Sequence, residues 1–147
     1  MKTTKSKILF ALFALHCSLS ANELVKVAAV SEAPGPEFRE MSYSNGESEQ
    51  KINVSKTSII TTEDVLSMTI AEDPLVVIVD LTPDGKAKMM KGTAGITGKR
   101  LAVLVNGRVQ VVPVLQQAPL GRQFHISGFK KPEEAKALAD AFTKKKG

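Results

Sequence analysis

The sequence predicts an α+β domain in which helices pack on one face of a largely antiparallel sheet. Three observations carry this reading. Residues 101–105 and 108–114 are apolar, β-branched runs joined by Asn106-Gly107, the dipeptide that favours a two-residue hairpin turn because both positions need φ > 0. Ala135, Leu138, Ala139 and Phe142 recur at i, i+3, i+4 and i+7 behind Pro132, the stripe of a helix buried along one side. Leu75-Val76-Val77-Ile78-Val79 is continuous and mostly β-branched, which suggests a strand buried on both faces, and Thr82-Pro83 after it is a helix start.

From the N-terminus, Lys2, Lys5 and Lys7 precede an apolar block at 8–15. Ser18-Leu19-Ser20 then sets small residues at −3 and −1 of a cut before Ala21, with a cut after Ala21 as the near alternative. This three-part pattern is that of a secretory signal peptide. As a helix the block reaches about 12 Å, against roughly 30 Å of hydrocarbon core. An uncleaved anchor extending to Leu19 is the other possibility, but His16, Cys17 and Ser18 interrupt it. Cys17 is the only cysteine, and Ala14 and His16 stand where a lipoprotein site has Leu and a small residue. The processed chain is therefore expected to carry no disulfide.

Residues 23–30 read as a first strand. Ala33-Pro34-Gly35-Pro36 must turn, since Pro fixes φ and supplies no N–H. Residues 38–43 and 50–55 alternate around Asn45-Gly46, a second hairpin. Thr61 or Thr62 can cap a short helix with Asp64 in its first turn and Val65, Leu66 and Met68 on its apolar side, stopped by Pro74. The helix opened by Thr82-Pro83 runs to about Gly92, with Gly85, Met89 and Thr93 facing one way. Pro113 cannot donate to a ladder and marks an edge or bulge. Residues 123–127 alternate as a strand, with Phe124 and Ile126 opposite His125. Lys136–Asp140 and Asp140–Lys144 are i,i+4 pairs on the solvent side of the last helix.

The formal charge of +5 misleads. Three of the positive charges leave with residues 1–21 and three more sit in the tail Lys144, Lys145, Lys146, so the body carries −1. A near-neutral body without Trp argues against nucleic acid as a partner, and three lysines without an apolar companion argue against stable membrane binding.

No residue set supports catalysis, a metal or a cofactor. His125 has no nucleophile or orienting acid at a recognisable spacing. Glu63-Asp64, Glu72-Asp73 and Glu133-Glu134 are adjacent carboxylates, which diverge by about 100° on a helix and so do not form acid/base pairs. Asp80, at the end of an apolar strand, is read as solvent-facing or as a cap for nearby backbone groups. The stretch from Gly92 to Lys99 is no phosphate loop, because Arg100 stands where Ser or Thr is needed and a strand follows in place of a helix. Asn53-Val54-Ser55 fits a glycosylation sequon but falls in a strand. Met89 is assigned to the core and Met90 is left open.

One succession of motifs is more specific. Leu81-Thr82-Pro83-Asp84-Gly85 is followed by Thr93, then Gly98-Lys99-Arg100-Leu101-Ala102, Asn106-Gly107, Pro113, Ile126-Ser127-Gly128-Phe129 and Glu133-Glu134-Ala135. Their order and spacing resemble the head subdomain of the first periplasmic domain of the SecD family, accessory subunits of the bacterial protein translocase. The family usually has Asp-Gly where this chain has Asn106-Gly107. The resemblance covers about residues 51–142 and implies a division into a signal peptide (1–21), N-terminal strands and loop (22–50), a SecD head-like domain (51–143) and a basic tail (144–147). It implies structural roles for Leu81, Thr82, Pro83, Gly85, Thr93, Gly98, Asn106, Gly107, Pro113, Gly128 and Phe129. It also implies a non-enzymatic, exported module that holds unfolded or translocating polypeptide, alone or with translocase components. The chain is expected to lack the family's membrane helices and base domain, and so the means to couple proton flow. The alternative is an interaction domain for one folded envelope partner, unconnected with secretion.

Overall fold

The structure, a computed structural model, describes residues 23–118 and 121–146; the expected signal peptide lies outside them. Among the described residues, eight strands form two antiparallel sheets. The larger contains β1 (Val25–Ser31), β2 (Phe38–Ser44), β3 (Glu49–Thr61), β6 (Leu101–Val105) and β7 (Arg108–Val111) in the order β2-β3-β1-β6-β7. The smaller is β4 (Val65–Ala71), β5 (Val76–Leu81) and β8 (Gln123–Ile126), with β5 central. Among the described residues two α-helices, α1 (Pro83–Thr93) and α2 (Pro132–Lys146), complete the α+β fold expected from the sequence.

The main core lies between the sheets and the helices. Val25, Val27, Ile60, Leu101 and Val103 meet Val65, Val77, Val79 and Ile126 there, together with Met89 of α1 and Ala135, Leu138 and Phe142 of α2. The opposite face of the large sheet holds a second, smaller cluster of Ala28, Ile52, Val54, Ala102 and Leu104, with no helical residue in it. Edge strand β2 packs against edge strand β7, so the large sheet curls around this cluster. β1 and β2, read from the sequence as an N-terminal extension, belong to this sheet, and β1 is its central strand.

Three expectations need correction. The helix expected after Thr61 or Thr62 is a single 3₁₀ turn, Thr62–Asp64, and residues 65–71 are strand β4. Val65, Thr69 and Ile70 are β-branched, and the segment pairs along β5 from Val65↔Leu81 to Ala71↔Val76, so sheet hydrogen bonds and burial override the cap at Thr61. β5 is not buried on both faces: Val77, Val79 and Leu81 are buried, while Val76, Ile78 and Asp80 are half-buried on the outer face, which no helix covers as in a parallel α/β sheet. Lys136, Asp140 and Lys144 lie on the exposed side of the last helix as expected, but among the described residues no salt bridge joins Lys136 to Asp140 or Asp140 to Lys144, and exposed pairs of this kind gain little.

The helix caps follow their chemistry. Thr82 Oγ1 accepts from the Gly85 N–H at 3.0 Å and Pro83 takes the first helical position. Gly85, Met89 and Thr93 form the buried face of α1, whereas Met90 is exposed. Asp64, almost fully buried, accepts from the Thr61 N–H at 3.0 Å and binds the Lys88 ammonium of α1 at 2.8 Å. Thr62 ties the start of β1 to this turn: its hydroxyl accepts from the N–H groups of Leu24 and Val25, at 2.9 and 3.1 Å.

Candidate functional site

The β6–β7 hairpin builds one side of a recess among the described residues. Val105 pairs with Arg108 across Asn106 and Gly107, whose φ values of 53° and 80° are those of the expected type I′ turn. The Asn106 N–H donates to the Leu24 carbonyl at 3.0 Å, which anchors the turn to the start of β1. Beyond β7 the chain continues alongside the approach to β6. Leu101 N–H donates to Pro113 O at 3.0 Å, and Gly98 N–H donates to Leu115 O at 2.8 Å, with Gly98 at φ +84°. Pro113 thus contributes its acceptor where its missing donor is not needed.

A cleft of about 950 Å³ opens along the outer side of β7. One wall is β7 itself, from Arg108 to Val111; the other is Phe129, Lys130 and the α2 residues Glu134, Ala137 and Leu138. Tyr43 and the β2–β3 turn border it as well. Gly128, at φ +83°, is where α2's lead-in meets the strand: a Cβ there would lie 3.0 Å from Val111 Cγ1 and 3.4 Å from Gln110 O. Gln110 Nε2 donates to Ser127 O at 3.2 Å beside it. Glu134 accepts from the Lys130 N–H at 2.9 Å, holding the cleft wall against the first turn of α2.

Of the residues singled out from the sequence, Asn106, Gly128 and Phe129 line this cleft, and Gly107 completes its turn. Leu81, Thr82, Pro83, Gly85 and Thr93 do not; they set the strand-to-helix step and the buried face of α1, where the Thr93 hydroxyl donates to Met89 O at 2.7 Å. Tyr43, Arg108, Val109 and Lys130 line it too, although the sequence does not single them out. Arg108 could have been found from its place directly after an Asn-Gly turn, but the approach of Tyr43 and Lys130 depends on long-range packing.

The other candidates have structural surroundings. Asp80 caps no backbone group among the described residues; its carboxylate accepts from Ser67 Oγ at 3.3 Å and Gln123 Nε2 at 3.0 Å, linking all three strands of the small sheet. His125 is exposed on β8. Asn53 lies within β3, its amide reaching Ser31 O at 3.5 Å. Among the described residues no group of three or more His, Cys, Asp or Glu converges as metal ligands would, and no helix is long and apolar enough to cross a membrane. Lys88 has its pKa raised by its hydrogen bond to Asp64 and by the charge of that carboxylate.

Comparison with known proteins agrees with this architecture. The family described as SecDF, P1 head subdomain, matches residues 39–143. The protein translocase subunit SecDF of Thermus thermophilus is 43% identical over 58 residues, 40% of this chain. The chain spans only 8% of that curated relative's length. Among solved structures, SecDF in its super-membrane-facing form superimposes with a TM-score of 0.62 over 80% of this chain and 18% of the other, at 22% identity. A SecDF chain from work on a membrane component that enhances protein export gives 0.64 over 90% and 67%, also at 22% identity, a likeness of fold. With the family match spanning most of its length, this chain belongs to the SecDF P1 head subdomain family.

Proposed function

We propose that this chain is a non-enzymatic, extracytoplasmic domain that holds unfolded or emerging polypeptide during protein export, alongside translocase components. The observation that carries the reading is the family match over residues 39–143. The cleft along β7 supports it physically, because an edge strand beside a half-apolar wall can take up a chain through backbone hydrogen bonds that are indifferent to side-chain identity. Residues 1–21 act as the export signal and are removed near Ser20 or Ala21.

Holding of this kind is passive and requires no nucleotide, metal or turnover. Ordering a flexible chain costs several kcal/mol, so affinity is expected to be about micromolar. Titration of the purified protein with a reduced, denatured model protein, followed by calorimetry, tests this. Binding to the denatured form and not to its folded form is the expected result. No binding at hundreds of micromolar would reject the reading and favour a dedicated folded partner.

A further inference from the structure

We propose that an extended polypeptide segment adds to the edge of β7 inside the cleft, with an apolar residue opposite Val109 and an acidic residue next to it, facing Arg108 and Lys130. This rests on the polypeptide-holding role above and specifies where and what it holds.

The backbone of β7 supplies the first argument. In a two-residue hairpin the residues flanking the turn, here Val105 and Arg108, exchange both of their hydrogen bonds. The next pair, Leu104↔Val109, is then the one without ladder bonds, so the N–H and C=O of Val109 point away from β6. β7 is an edge strand, and no described group outside the sheet bonds to these two atoms. Further along, the edge is occupied: Ser127 and Gly128 lie against Gln110 and Val111. The open stretch is short and centred on Val109.

Side-chain parity supplies the second. Val105 packs against the main core and its partner Arg108 lies on the same face, the side of Phe129, Lys130 and α2. Val109 lies on the other face, packed with Tyr43 against the second cluster. A strand laid on β7 must alternate likewise, presenting one residue to Val109 and Tyr43 and its neighbour to the Arg108 side.

Charge supplies the third. Arg108 and Lys130 are exposed and form no salt bridge among the described residues. The one carboxylate in the lining, Glu134, already accepts from the Lys130 backbone. Two cations without a salt-bridge partner at this end of the cleft favour a carboxylate on the bound strand and disfavour a cation.

The test uses two synthetic peptides, one alternating Val with Glu and one alternating Val with Lys, titrated by fluorescence anisotropy against the purified protein. The Glu peptide is expected to bind about fivefold tighter, and Arg108→Glu to reverse that preference. Independently of any variant, N-methylating the alternate amides that face β7 should abolish binding, while methylating the other set should leave it. Equal binding of both peptides, or indifference to methyl position, overturns the inference. If the denatured protein still binds under those conditions, the holding role stands and only the β7 site falls. If the peptides behave as expected but the denatured protein does not bind, the cleft serves a partner that presents an acidic strand and the holding role falls. A concentration-dependent dimer that excludes both peptides would assign the cleft to a second copy and also overturn the inference.

Discussion

Gly85 sits directly against the Asp64 carbonyl: a Cβ on Gly85 would stand 2.5 Å from that oxygen and 2.9 Å from Asp64 Cβ. The same carbonyl accepts from the Thr82 N–H at 2.9 Å. The end of the 3₁₀ turn and the start of α1 are thus locked together through a contact that only glycine permits.

Gly85→Ala is therefore expected to destabilise the protein, although alanine favours a helix by about 1 kcal/mol. The obstructing atom is backbone and cannot swing aside, so overpacking of about 1–3 kcal/mol outweighs the propensity gain. Urea denaturation measures the difference. A variant as stable as the parent would show that α1 can shift away from Asp64.

Gly107 tests the hairpin. Its φ of +80° is unfavourable for any side chain and most for a β-branched one. No atom lies within 4 Å of where its Cβ would be, so the penalty is conformational and not steric crowding by neighbours. Gly107→Val should cost on the order of 1–3 kcal/mol and Gly107→Asn distinctly less, since Asn tolerates the left-handed region. Thermal unfolding of the two variants side by side checks the ordering.

Asp64 and Lys88 make stability depend on alkaline pH. Lys88 has its pKa raised above 10.5, first by its hydrogen bond to Asp64 and then by the charge of that carboxylate. A group raised in the folded state binds its proton more tightly there. Its contribution is complete below the unfolded value and is lost as pH rises through the folded one. Lys88→Met should accordingly be less stable than the parent at neutral pH, by a margin that shrinks above about pH 10.5. Because the ammonium is exposed, the margin is modest. Denaturation midpoints of both proteins across this range provide the comparison. A margin constant to high pH would mean that the charge of Lys88 contributes nothing to stability.

Local chemistry made much of this protein legible from its sequence alone. Asn106-Gly107 dictates its turn because few dipeptides tolerate two positive φ values, and Thr82-Pro83 dictates a helix start because the cap and the missing N–H suit one position only. The buried stripe of Ala135, Leu138 and Phe142 follows from a 3.6-residue period. The spacing of these signals was enough to place the chain in its family. What residues 65–71 become was decided elsewhere: a capped segment with Val65, Leu66 and Met68 satisfies a helix and a strand equally, and pairing with β5 resolves it. The same holds for the split into two sheets, for β1 as the central strand of one, and for the cleft itself. Arg108, Tyr43 and Lys130 are far apart in sequence, and each is locally an ordinary surface residue. Only the curling of the large sheet and the docking of α2 bring them to one opening, since such contacts depend on which apolar faces meet across the core and on no local preference of the backbone.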